Sequence, residues 1–158
     1  MSTLAWSESL ALQQPQMDTT HHEFVDLLGT LETALDADDG SLDAALDAVV
    51  EHTEAHFAQE EHWMLGMGFA PQNCHSYQHA QVLKAMHEVQ DRLRDDGDVA
   101  LVRQLADELV EWFPAHSRSM DANLAQCMVS MGYLPADALD APPPPPPRPV
   151  AAAGACAA

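Results

Sequence analysis

His56-Phe57-Ala58-Gln59-Glu60-Glu61 decides how the rest of the chain is read. If this stretch is helical, His56 and Glu60 stand four residues apart and project from the same face. An imidazole and a carboxylate stacked in that way can hold a metal ion between helices. One such pair carries little weight, because acidic helices are rich in Glu. His75-Ser76-Tyr77-Gln78-His79 repeats the spacing with two imidazoles. His21 lies upstream, and His116 and Asp121 lie downstream. The question is whether these seven side chains form one site.

Composition sets the frame. A chain of 158 residues suits one domain plus a tail, and an apolar fraction of 47% can build a core. Few glycines and abundant Ala, Leu, Glu, Gln and Met favour helix over strand. The formal charge of -19, with only 6 Lys and Arg, argues against nucleic acid and anionic membranes as partners. Solubility is the plain meaning of that acidity. The three cysteines, Cys74, Cys127 and Cys156, are scattered. They suggest neither a disulfide framework nor a zinc ribbon, and they suit a cytoplasmic protein. No signal peptide is evident at the N-terminus and no apolar run is long enough to span a membrane.

The hydrophobic pattern predicts four amphipathic helices. Residues 1–17 read as a non-helical arm whose Trp6, Leu10 and Leu12 pack on the body. The first helix is expected from Asp18, as N-cap, to about Ala37, with Phe24, Leu27, Leu28, Leu31 and Leu35 on its apolar stripe. Ser41 is expected to cap a second helix that runs to about Met67. A third runs from Pro71 or Asn73 to Asp95. A fourth runs from Asp98 to Met131 and stops at Gly132, with Pro114 expected to kink or break it. Short connections make this an all-α, up-down-up-down four-helix bundle over residues 18–135. Residues 136–158, with six consecutive prolines and an Ala-rich end, read as a disordered tail that a proline-recognising protein could bind.

In such a bundle each helix contributes to the polar set: His21 from the first, His56 and Glu60 from the second, His75 and His79 from the third, His116 and Asp121 from the fourth. Helix axes about 8–10 Å apart let these side chains converge. Isolated polar groups would be costly there, and shared ligation of metal removes the difficulty. Five imidazoles and two carboxylates exceed the needs of one ion and suit two ions bridged by carboxylates. Nitrogen and oxygen donors without thiolate favour iron, manganese or zinc. No histidine follows a Glu by three residues, as the ferritin-like di-iron bundles require. His52-Thr53-Glu54-Ala55-His56 has the histidine spacing of a zinc protease with its Glu one place late, which leaves a His52–His56 zinc pair as a minor alternative. His22, His52, His62 and His87 are otherwise read as structural. His116 and Asp121 are five residues apart, about 140° on an ideal helix. They converge only if one leans across or the helix is distorted. Pro114 either sets that distortion or loosens the site.

The order Asp18-x-x-His21, His56-Phe57-x-x-Glu60-Glu61, His75-x-x-x-His79 and Trp112-x-x-x-His116-x-x-x-x-Asp121 resembles the hemerythrin family, in its bacterial single-domain type. The resemblance runs from Trp6 to about Gly132. It implies a four-helix bundle with a non-haem, oxo- or hydroxo-bridged pair of iron ions that binds dioxygen reversibly. By position, His75, His79 and His116 would hold one iron, His21 and His56 the other, and Glu60 and Asp121 would bridge. The iron with two histidines would keep a position open for dioxygen. That chemistry needs a dry apolar pocket, for which Phe24, Leu28, Phe57, Trp112 and Leu124 are the candidates.

Three functions fit these expectations: dioxygen carriage, storage or delivery; oxygen or redox sensing through a partner; and di-iron peroxidase, oxidase or nitric-oxide-handling chemistry. The sequence favours a binding protein, monomeric, over an enzyme. An enzyme would need a proton donor by the open position, for which His52 and Glu61 are candidates.

Overall fold

Pro15 opens the first long helix, α1 (Pro15–Ala37), because a first-turn proline gives up no helical hydrogen bond. Gln14 is its N-cap, and the side-chain oxygen of Gln14 accepts from the Met17 amide at 2.6 Å. The helix therefore begins three residues before Asp18, correcting the expected start. The Asp18 carboxylate accepts instead from the Leu12 amide at 2.7 Å and so ties the preceding arm to α1. That arm is not wholly irregular, since Glu8–Leu10 forms one 3-10 turn. Leu10 is buried in the main core, against which Trp6 also packs. This computed structural model describes residues 4–133. The expectations for residues 136–158, including the proline-rich tail, its partner and Cys156, lie outside the described residues.

Three further helices complete the bundle. Helix α2 (Leu42–Gly66) follows a short turn in which Asp38 takes a left-handed conformation. Ser41 precedes it without a side-chain capping bond, contrary to expectation. Helix α3 (Cys74–Asp96) starts with a reciprocal capping box, in which Asn73 accepts from the Ser76 amide and the Ser76 hydroxyl accepts from the Asn73 amide, both at 3.0 Å. Gly97 (φ 66°) ends α3 in a left-handed cap that a side chain would disfavour. Helix α4 (Val99–His116), a π-helical segment (Ser117–Asp121) and α5 (Ala122–Met131) form the fourth rod of the bundle. Helix α1 packs on α2 and α4, and α3 packs on α2 and α4, which closes a four-cornered ring. Among the described residues there is no strand, and no helix is long and apolar enough to cross a membrane.

The interior has three layers. The main apolar core gathers Phe24, Leu31, Leu46, Val49, Met86, Val102 and their neighbours. A second, smaller cluster joins Met17, Trp63, Met64, Leu124 and Met128. At the level between these two clusters in the chain's register sit the buried His21, Glu60, His79, His116 and Asp121. The smaller cluster is closed by Tyr133, which lies so near Gly66 that an added Cβ would stand 2.6 Å from its hydroxyl.

Candidate metal centre

Each helix delivers its donors from a position fixed by local structure. One turn separates His56 from Glu60 on α2 and His75 from His79 on α3, so each pair shares a face. The Asn73 capping box holds the first turn of α3, which carries His75. On the fourth rod, the Ala122 amide donates to the Ser117 carbonyl five residues back. This adds a residue to the turn and brings Asp121 round beneath His116. His116 Nε2 consequently lies 3.1 Å from Asp121 Oδ1. Local distortion of the helix, rather than a leaning side chain, resolves the expected mismatch. Pro114 lies within α4, three residues before this segment, and the rod continues through it.

All seven sequence-predicted residues come together, and all are buried. Their donor atoms fall into two groups: Glu60, His75, His79, His116 and Asp121, and then His21, His56, Glu60 and Asp121. Within each group one donor atom per residue lies within 4.8 Å of every other. The carboxylates belong to both groups because each divides its oxygens between them. Glu60 Oε1 faces His56 Nε2 at 3.3 Å and His21 Nε2 at 3.9 Å, whereas Oε2 faces His75 and His79 at 3.2 and 3.3 Å. Asp121 Oδ2 faces His21 at 3.1 Å, whereas Oδ1 faces His75 and His116 at 3.0 and 3.1 Å.

Protein contacts alone do not satisfy these atoms. All four carboxylate oxygens and the Nε2 atoms of His21, His75, His79 and His116 are buried without a hydrogen-bond partner. A buried unsatisfied polar atom costs about 1–3 kcal/mol. Eight of them would consume most of a domain's net stability of about 5–15 kcal/mol. Cations placed between the carboxylates and the imidazoles would satisfy them together, so the donor set fits bound metal.

The protons of the site are those that a bound cation would displace. Burial, then the charge on His21, pushes His56 down to about 3. Burial, then the charges on His75 and His116, pushes His79 down to about 2. Both imidazoles are therefore neutral at pH 7 and ready to donate a lone pair. Burial would raise Asp121, but the close imidazoles of His116, His21 and His75 hold it well below the usual carboxylate range. Burial and the Asp121 charge push Glu60 up to about 8. Burial would lower His75, yet the Asp121 and Glu60 carboxylates overcome it and push His75 up to about 9. At neutral pH the His75–Glu60 contact of the metal-free site thus holds a proton.

A ring of orienting contacts was not legible in the sequence. His79 Nδ1 meets the Glu61 carboxylate at 3.3 Å, and His116 Nδ1 meets Gln78 Oε1 at 2.8 Å. Acceptors at Nδ1 place the proton there and turn Nε2 toward the metal position. Glu61 therefore acts one layer out, as an orienting group. The only available signal was position: Glu61 follows Glu60, and Gln78 precedes His79. The remaining histidines behave as structural residues. His22 pairs with Asp26 at 3.3 Å, His52 with Glu23 at 3.1 Å and His87 with Glu54 at 2.9 Å, and His62 is exposed. His52 stacks on His56, but neither metal-ligand group includes it, which removes support from the His52–His56 zinc alternative.

Beside the donors lies a small cavity of about 10 Å³, room for roughly one water-sized sphere. Phe24, Phe57 and Trp112 line it as expected. Leu28 and Leu124 do not: Leu28 belongs to the main core, and Leu124 to the smaller cluster. Their places are taken by Thr53, Met86 and Phe113. The Thr53 hydroxyl donates to the Val49 carbonyl of its own helix at 2.7 Å, so it adds little polarity. Periodicity could not choose among inward-facing residues, because the choice depends on the relative heights of neighbouring helices.

A four-helix bundle whose buried carboxylates join two histidine groups defines a class of metal-binding protein. Residues 14–127 match the family described as "Hemerythrin HHE cation binding domain", and the chain belongs to the hemerythrin family. It is 41% identical over 132 residues to a protein named bacteriohemerythrin from Ralstonia nicotianae, covering 84% of this chain and 93% of the relative. Proteins of the same name from Pseudomonas paraeruginosa and Stenotrophomonas maltophilia are 29% and 26% identical, over 77% of this chain in each case. No solved structure matches the chain.

Proposed function

We propose that this protein binds dioxygen reversibly at a pair of iron ions and serves in its carriage, storage or delivery. His75, His79 and His116 would hold one ion, His21 and His56 would hold the other, and Glu60 and Asp121, which face both groups, would be shared between them. The division of each carboxylate's oxygens between the two histidine groups carries this reading. When bound, the iron pair supplies the two electrons that dioxygen binding draws on.

The chain's own residues supply the rest. His56, His116 and Asp121 all border the cavity, so it touches both donor groups, and the ion with fewer protein donors is the one with a position left there for a small ligand. Phe24, Phe57, Met86 and Phe113 keep that space apolar, which disfavours water and charged products. The two acids considered as proton donors are engaged elsewhere, His52 with Glu23 and Glu61 with His79. Their engagement supports binding over turnover.

The test is anaerobic loading with ferrous iron followed by cycles of air and deoxygenation. Two irons per chain and a visible absorption that appears with air and vanishes on deoxygenation are expected. Irreversible oxidation with peroxide turnover would move the assignment to an enzyme. Failure to hold two irons per chain would reject the di-iron site itself.

A further inference from the structure

One side chain lines both the interior cavity and a groove on the surface of the bundle. Helices α3 and α4 leave a largely apolar groove of about 250 Å³ between them, lined by Val82, Ala85, Leu105, Leu109 and Trp112 among others. The interior cavity lies deeper in the bundle. Among the described residues, Trp112 alone lines both. Its indole stacks on His116 with centroids 4.3 Å apart and planes 22° from parallel, and meets Phe57 edge-on at 6.2 Å. It is only partly buried, whereas Phe24, Phe57, Met86 and Phe113 around the cavity are buried.

We propose that Trp112 is the entry gate of the metal site, admitting small linear molecules from the α3–α4 groove and holding bulk water out. The geometry gives each property a cause. An indole is flat, so a small rotation about its side-chain bonds opens a slot along its face. A diatomic or triatomic molecule passes such a slot, whereas a bulkier one needs the whole ring to leave its stack on His116. The groove in front of the ring also carries Gln78, Gln81 and Glu108, but its exposed lining is mostly apolar, and this favours an apolar solute over water. The cavity behind has room for about one small molecule, so passage and occupancy are limited by size alike. Dioxygen as the natural visitor rests on the function proposed above, but the gate itself does not.

Two variants move the gate in opposite directions. Trp112→Ala removes the ring, and Ala85→Phe fills the exposed groove in front of it. Trp112→Phe keeps a ring over His116 and guards against a misfolded alanine variant. Two probes report passage in the full-length protein: xenon exchange followed by xenon NMR on metal-free protein, and azide binding to the oxidised iron-loaded protein by stopped flow. Both rates should rise at least about tenfold in Trp112→Ala, less in Trp112→Phe, and fall in Ala85→Phe. Rates within twofold of the parent in all three variants would overturn the gate. If the rates shift as expected but reduced protein fails to bind dioxygen, the gate stands and the proposed function falls.

Discussion

The two histidine groups around Glu60 and Asp121 use the same chemistry and are built differently. On one side, His79 and His116 each have an acceptor at Nδ1, supplied by Glu61 and Gln78, and His75 rises from a capped helix start. On the other side, His21 Nδ1 is buried with no hydrogen-bond partner, and His56 shares the wall of the cavity with His116. His21 is held by packing, edge-on against Phe113 and His56 with centroids 5.0 Å apart in each case. The difference teaches how a symmetric pair of bridges can serve an asymmetric purpose. Nδ1 acceptors hold the imidazoles of one side in a fixed orientation, and the other side has one imidazole fewer and no such brace on His21.

The severest way to break this comparison is to remove what the two sides share. Glu60→Ala or Asp121→Ala should abolish stable binding of both ions, since each carboxylate faces both groups. Metal per chain, measured by elemental analysis after desalting, should fall from two toward zero. Retention of one tightly held ion in either variant would show that the sides are independent.

Removing a histidine separates the sides. His56→Ala should lose the two-histidine ion and keep the other, whereas His79→Ala should weaken the three-histidine ion. His62→Ala, at an exposed position, should leave metal content unchanged and stability within about 0.5 kcal/mol. Equal losses in His56→Ala and His62→Ala would count against the assignment.

Smaller changes probe orientation. Glu61→Ala and Gln78→Ala leave every donor in place and remove only the Nδ1 acceptors. Each should weaken metal binding about 10–100-fold at the three-histidine side, with little effect opposite. Competition with a chelator of known affinity measures it, and Glu61→Gln, which still offers an acceptor, should recover part of the loss.

Proton competition gives the mildest test. In the metal-free site His75 is pushed up to about 9 and Glu60 to about 8, and because each acts on the other, at pH 7 their contact holds a proton. Cations must displace that proton, and binding therefore strengthens as pH rises. Affinity should increase about tenfold per pH unit for each proton displaced, and level off above about pH 9. Proton release on metal addition in weak buffer should show the same sign. A pH-independent affinity between 6 and 9 would contradict the protonated His75–Glu60 contact.

Most of the candidate donor set was legible in the sequence for a reason of scale. Pairs one helical turn apart, such as His56 and Glu60, keep their relation wherever the helix packs. The His116–Asp121 relation was legible only as a puzzle, because the π-helical turn that solves it has no residue signature at Ser117–Asp121. Glu61 and Gln78 were hidden in another way. Each reaches a histidine of a different helix, so helix rotation and height decide the contact. The start of α1 was misread because Asp18 is a good capping residue, while Gln14 with Pro15 supplies the actual first turn. Thr53, Met86 and Phe113 could not be told from other inward residues until neighbouring helices were aligned.

What the sequence determined by itself was the set of chemical groups and their one-turn spacings, and so the all-α class and the seven donors. Local geometry and hydrophobic period are properties of short segments, and short segments carry them. Only the tertiary structure decided that the donors form two groups sharing both carboxylates, that one side is braced at Nδ1 while His21 is not, and that Trp112 lines both the interior cavity and the α3–α4 groove. Those features depend on where one helix sits against another. That placement is fixed by the packing of the two apolar clusters together, and no single stretch of the chain contains it.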